Sequence, residues 1–192
     1  METMTNLHIS QHALEQWLYQ MVNSKIEVFA PVHDGEKTDF RLLAFGDKVA
    51  DDYVQTTQSA KRFAFPKAEK LFSYRKEGKD VTLQERDLND FPEIVLWKVR
   101  PCDAAGFAPL TGIFNWDYKD NIYNARRDKI TLVSFSCTRC DEYCFCTSVH
   151  GGPGNTEGSD IQVTELPDRS ALVEILTCLL YTSPSPRDIS GS

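Results

Sequence analysis

The apolar positions of this chain change period several times, and each change marks an element. Leu14, Trp17, Leu18, Met21 and Val22 fall at i, i+3, i+4, i+7 and i+8 behind Ser10, a residue suited to cap a first turn, and predict one amphipathic helix. Residues 26–32 and 40–45 read as two strands of a hairpin turning at Asp34-Gly35, with Pro31 putting the first strand at a sheet edge. Residues 46–60 are polar and acidic and predict a surface loop or short helix without recognisable chemistry. The run 62–74 begins as an aromatic strand, carries Pro66 at a plausible first helical turn, and reads as an aromatic core segment. Residues 76–90 read as a charged connector.

Residues 93–99 are β-branched and apolar, as a strand buried on both faces must be, and they lead into Arg100-Pro101-Cys102-Asp103. Asp103 can cap a helix that puts Phe107, Leu110 and Phe114 on one face; a helical turn at 123–128 and a second buried strand at 130–135 follow. Strand, helix, strand in this order predicts a right-handed crossover between parallel neighbours. Cys102 and Cys137 then leave adjacent strands at their carboxyl ends, the edge at which open α/β sheets build sites. The expected class is α/β, with α+β as the alternative, around a mixed sheet. A final hairpin is expected from 161–166 and 171–177 around Pro167-Asp168. Residues 178–192 have no periodicity and two Ser-Pro steps, and resemble a translated sequencing-adapter read-through. The expected domain is therefore 1–177, Cys178 is set aside as a ligand, and the natural gene is expected to continue past Thr177.

A hydrophobic fraction of 41% suffices for a packed core. The net charge of -7, with no basic stripe, argues against nucleic-acid and membrane partners. No secretory pattern opens the chain, and no apolar run approaches the ~20 residues of a membrane span. A reducing, cytoplasmic setting is expected, where crowded cysteines indicate a metal or redox chemistry in preference to disulfides.

Four of the six cysteines, Cys137, Cys140, Cys144 and Cys146, stand in the pattern C-x2-C-x3-C-x-C, followed by Gly151-Gly152-Pro153-Gly154. Iron-sulfur clusters take thiolates from short loops whose backbone N–H groups face the sulfurs, and the glycines would allow close approach. Zinc in a closed four-thiolate site asks for two C-x2-C knuckles, and one is present. The spacing thus favours iron-sulfur over zinc, and Cys137-Thr-Arg-Cys140 leaves a thiol-redox reading as a third. The C-x-C step makes it strained for all four local thiols to share one ion. Cys102, Cys137, Cys144 and Cys146 form the easier set, with Cys140 as a spare or substitute ligand. His150 reads as a solvated loop residue, and Arg126-Arg127 as a solvated face or a dipole complement at a helix end.

Val99-Arg-Pro-Cys-Asp103, Tyr123-Asn-Ala-Arg-Arg127, Cys144-Phe-Cys-Thr-Ser148 and Thr156-Glu-Gly-Ser-Asp160, in this order, resemble the N-terminal region of the iron-sulfur beta subunits of nickel-iron hydrogenases and sulfhydrogenases, a group that includes one iron-sulfur component of anaerobic sulfite reductase. The stretch 62–74 is similar to that family's aromatic-Pro-x-x-Glu-x-Leu-Phe segment. The resemblance implies a cytoplasmic electron-transfer subunit that relays electrons between two others, one binding flavin or nicotinamide and one catalytic. It implies a 4Fe-4S cluster at Cys102, Cys137, Cys144 and Cys146 and no bond-breaking chemistry in this chain. Family members continue into a two-cluster 4Fe-4S ferredoxin domain, which this sequence lacks. Two departures bear on the backbone: Lys98 and His150 stand where the family commonly has glycine.

Overall fold

The chain was analysed as a computed structural model that describes residues 5–177, so Cys178 and the rest of 178–192 lie outside the described residues. Its centre is a mixed seven-stranded sheet in the order β1-β9-β8-β7-β6-β2-β3, and a separate two-stranded ribbon pairs β4 with β5. The strands are β1 Thr5–Ile9, β2 Glu27–Asp34, β3 Lys37–Leu42, β4 Phe72–Glu77, β5 Asp80–Glu85, β6 Ile94–Val99, β7 Ile130–Phe135, β8 Ile161–Glu165 and β9 Ala171–Ile175. The helices are α1 Gln11–Val22, α2 Pro101–Ala105, α3 Phe107–Phe114 and α4 Asn121–Arg127.

The interior strands β2, β6, β7 and β8 run parallel, and the outer pairs β2–β3, β8–β9 and β9–β1 are antiparallel. Both faces of the parallel part are covered, which explains the unbroken apolar text of β6 and β7. On one face Leu14, Trp17 and Met21 of α1 pack over Val28, Val95, Trp97, Val133, Phe135, Ile161 and Val173. Trp17 meets Trp97 edge-on, ring centroids 5.0 Å apart. On the other face Phe107 of α3 and Tyr123 of α4 pack with Leu96, Val99, Ile130 and Leu132. Leu110 and Phe114 join that second layer as the spacing predicts.

The structure differs from the sequence reading at six places. Pro31 does not mark an edge strand: β2 lies between β6 and β3, but β6 pairs only with Glu27, Val28 and Phe29, so the N–H that proline lacks falls beyond the parallel ladder. The hairpin turn is centred one residue later, on Gly35 at φ 61°. Pro66 opens no helix; a 3-10 turn, Ala60–Phe63, precedes it, where Arg62 is anchored to the Phe40 carbonyl at 2.6 Å. The end of the run read as an aromatic core segment and the charged connector together form the β4–β5 ribbon, whose residues, Phe72 and Tyr74 included, are almost all exposed, so neither burial nor alternation signalled it. Asp103 does not cap α2: Pro101, with no N–H to satisfy, starts the helix earlier and leaves Asp103 in its first turn. Finally, β1, absent from the sequence reading, closes the far edge by pairing with β9 from Thr5↔Ile175 to Ile9↔Ala171.

Candidate metal centre

β6 and β7 are parallel neighbours, registered from Ile94↔Ile130 to Trp97↔Val133, and the crossover between them is α2–α4. Their carboxyl ends therefore lie side by side. Cys102 follows β6 within α2, and Cys137 follows β7 by two residues. The cysteine loop folds back on this edge: the Cys137 N–H donates to the Pro153 carbonyl at 2.8 Å, and the Gly151 N–H to the Cys146 carbonyl at 2.9 Å.

The thiols sense one another. Cys102 is exposed as a residue, and partial desolvation is the main force raising its thiol, followed by the Asp103 charge and then Cys137 and Cys146. Burial also raises the Cys137 thiol, opposed by the charge of Arg100 and a hydrogen bond from it, with Cys146 and Cys144 pushing it further up. Cys140 acts on Cys144, whose thiol also rises; Cys144 is exposed and receives the Asp141 N–H at 3.4 Å. Cys140 is coupled to Cys144 just as Cys144 is to Cys137, so all five described cysteines belong to one electrostatic group. Among the described residues, however, no three cysteine, histidine or carboxylate side chains converge closely enough to hold one metal ion. The five described cysteines are all free thiols.

The surroundings of the edge were only partly foreseen. Arg100 is buried: its Nε–H donates to the Val54 carbonyl at 3.2 Å, its guanidinium lies 4.2 Å over the Tyr53 ring, and its Nη1–H points at Cys137 Sγ, 3.9 Å away. Tyr53 and Val54 come from the stretch read as a loop without chemistry, and Tyr53 donates its hydroxyl hydrogen bond to the Lys98 carbonyl. Burial keeps that phenol protonated.

Lys98 is the bulged residue of β6, at φ 63° where the register to β7 slips. Its ammonium group is buried, 2.5 Å from Asp51 and 3.7 Å from Glu165. His150 closes the 3-10 turn Cys146–Val149 at φ 62°. Both positions at which a glycine was expected are thus in left-handed conformation, held here by residues that bear a Cβ. Of the glycines in 151–154, only Gly151 leaves little room, an added Cβ meeting the Cys146 carbonyl at 3.2 Å. The closest backbone approach is at Gly158, φ 76°, where an added Cβ would lie 2.3 Å from the Ala104 carbonyl of α2.

Arg126 and Arg127 are not a solvated face. Arg126 is buried against Glu69 and the Phe91 ring, and Arg127 donates to the Ile130 carbonyl at 2.8 Å, because α4 packs both under the sheet's amino end.

Fold and edge together define the class: an α/β domain with a mixed sheet that presents a cysteine-rich loop and one further cysteine where two parallel strands end. The chain is 31% identical over 141 residues to sulfhydrogenase 2 subunit beta of Pyrococcus furiosus. That match covers 73% of this chain and 40% of the relative, so the chain spans about two fifths of the relative's length. The relationship is to a hydrogenase-type beta subunit; the sulfite reductase side of the expected group is not reached by it. No family model matches the chain, and no solved structure does. Among the described residues no helix is long and apolar enough to cross a membrane.

Proposed function

We propose that the chain is the electron-transfer part of an oxidoreductase subunit, and that Cys102, Cys137, Cys144 and Cys146 hold an iron-sulfur cluster, of 4Fe-4S type, with Cys140 as the odd thiol. The observation that supports this reading is that Cys102 and the cysteine loop follow the adjacent carboxyl ends of β6 and β7, in a chain similar to a sulfhydrogenase beta subunit. The donor set suits the group: soft thiols in one helical first turn and one loop, with an N–H from Asp141 and a guanidinium N–H already directed at two of the sulfurs.

A bound cluster would supply a one-electron carrier. The chain's own part is ligation, partial burial, and hydrogen bonds to sulfur that set the potential. Ligation requires the raised thiols of Cys102, Cys137 and Cys144 to lose their protons, so loading becomes more favourable as pH rises. The partners in this reading are two further subunits, one binding flavin or nicotinamide and one catalytic, in the cytoplasm, with neither nucleic acid nor membrane involved. Anaerobic purification with iron and sulfide analysis tests it. Cys102→Ser is expected to abolish most of the iron and the visible absorption, and Cys140→Ser to retain both. A colourless wild-type protein with one zinc and no sulfide would replace electron transfer by a zinc-stabilised docking scaffold. Metal-free protein with a reactive Cys137 or Cys140 would favour thiol-redox chemistry.

A further inference from the structure

The two buried cations at the end of β6 are not equivalent. Lys98 is matched by two carboxylates, at 2.5 and 3.7 Å. Arg100 is only 8% exposed, yet among the described residues it has no carboxylate within ion-pair distance. Asp103, three residues on, feels the Arg100 charge from beyond ion-pair distance, while it pairs with Lys61 at 3.8 Å and accepts a hydrogen bond from the Ser59 hydroxyl at 3.4 Å. The guanidinium is immobilised by the Val54 carbonyl and by the Tyr53 ring, and its free side faces Cys137 Sγ. A buried charge without a counter-ion is expensive, and the cost is offset when an anion is placed against it.

We propose that Arg100 is the fixed counter-charge of the thiolate-bound group at this edge and raises its reduction potential, acting through Cys137 as a positioning residue. The inference rests on the cluster reading given above and deepens it. The physics is direct. Reduction adds one negative charge, and a cation held close to one thiolate in a poorly solvated setting stabilises the reduced form more than the oxidised form. The N–H···S hydrogen bond acts in the same direction by withdrawing electron density from sulfur.

The test compares midpoint potentials of the anaerobically purified, iron-loaded chain in three forms: wild type, Arg100→Gln and Arg100→Lys. Titration with dithionite is followed by visible absorption and electron paramagnetic resonance, with circular dichroism to confirm folding. Arg100→Gln is expected to shift the oxidised-to-reduced ratio at fixed potential at least tenfold toward oxidised, a fall of about 59 mV for a one-electron couple. Arg100→Lys, which keeps the charge, should shift it less than threefold. An Arg100→Gln protein that loads iron and titrates at the wild-type potential overturns the inference and leaves the cluster reading standing. If Arg100→Gln does not load, Arg100→Lys decides: a shift under threefold supports the counter-charge, and a full tenfold fall overturns it. A wild-type chain that holds zinc without sulfide overturns both.

Discussion

Arg100 and Arg126 sit at opposite ends of the same parallel strands and are equally buried, each 8% exposed. Each stacks on an aromatic ring, Tyr53 at 4.2 Å or Phe91 at 4.8 Å, and each donates to a backbone carbonyl from a distant segment, Val54 or Ala64. They differ in the remaining partner. Arg126 faces the Glu69 carboxylate, and Arg100 faces a cysteine. At the amino end Arg126 has a carboxylate partner. At the carboxyl end Asp51 and Glu165 pair with Lys98, and no described carboxylate lies within ion-pair distance of Arg100. Backbone strain follows the same division, since two of the three described non-glycine residues at positive φ, Lys98 and His150, lie at the cysteine edge. Such strain persists where the surroundings hold it, and functional sites are where it collects.

The largest effect is expected at the amino end. Glu69→Gln leaves Arg126 buried without its charge partner and should cost about 3 kcal/mol in urea unfolding, because breaking a buried pair exposes the full desolvation penalty of the survivor. A loss below about 1 kcal/mol, the range of exposed pairs, would erase the contrast between the two ends. Gly158→Ala comes next. It forces a Cβ into the Ala104 carbonyl at positive φ and should cost about 2 kcal/mol or more, detaching the 151–160 loop from α2. Gly46→Ala, at φ 92° with open space around it, should cost only about 1 kcal/mol, so equal losses at the two glycines would deny the close approach its importance. The smallest effect is a gain: His150→Gly relieves a left-handed residue and should add about 1 kcal/mol to stability in the same urea unfolding measurement.

The legibility of the sequence follows the same map. β6 and β7 were readable nearly to the residue because both faces are covered, which forces a continuous apolar run. Their adjacency followed from the helical crossover, and with it the approach of Cys102 to Cys137. The β4–β5 ribbon escaped because no core patterns it: Phe72, Tyr74, Val81 and Leu83 are each more than half exposed among charged neighbours. Tyr53, Val54 and Asp51 escaped for another reason. They act on Arg100 and Lys98 from residues almost 50 positions upstream, and nothing local in an acidic loop encodes the distant cation it will meet. Arg126 was misread because a paired charge at a helix end has the same local text whether it faces water or Glu69.

The position of β1 also governs how the molecule can be made. Its only described neighbour in the sheet is β9, so Thr5 waits for Ile175 and Ile9 for Ala171. On the ribosome, β2 and β3 can form their hairpin early, and β6 can add to β2 once it emerges. The first described strand is nevertheless the last of them that can be placed. Contacts of this span slow folding, and until they form β1 is an unpaired strand searching for an edge. Nascent chains arrested before residue 171 should therefore leave 5–9 open to proteolysis, and chains released after 175 should protect it.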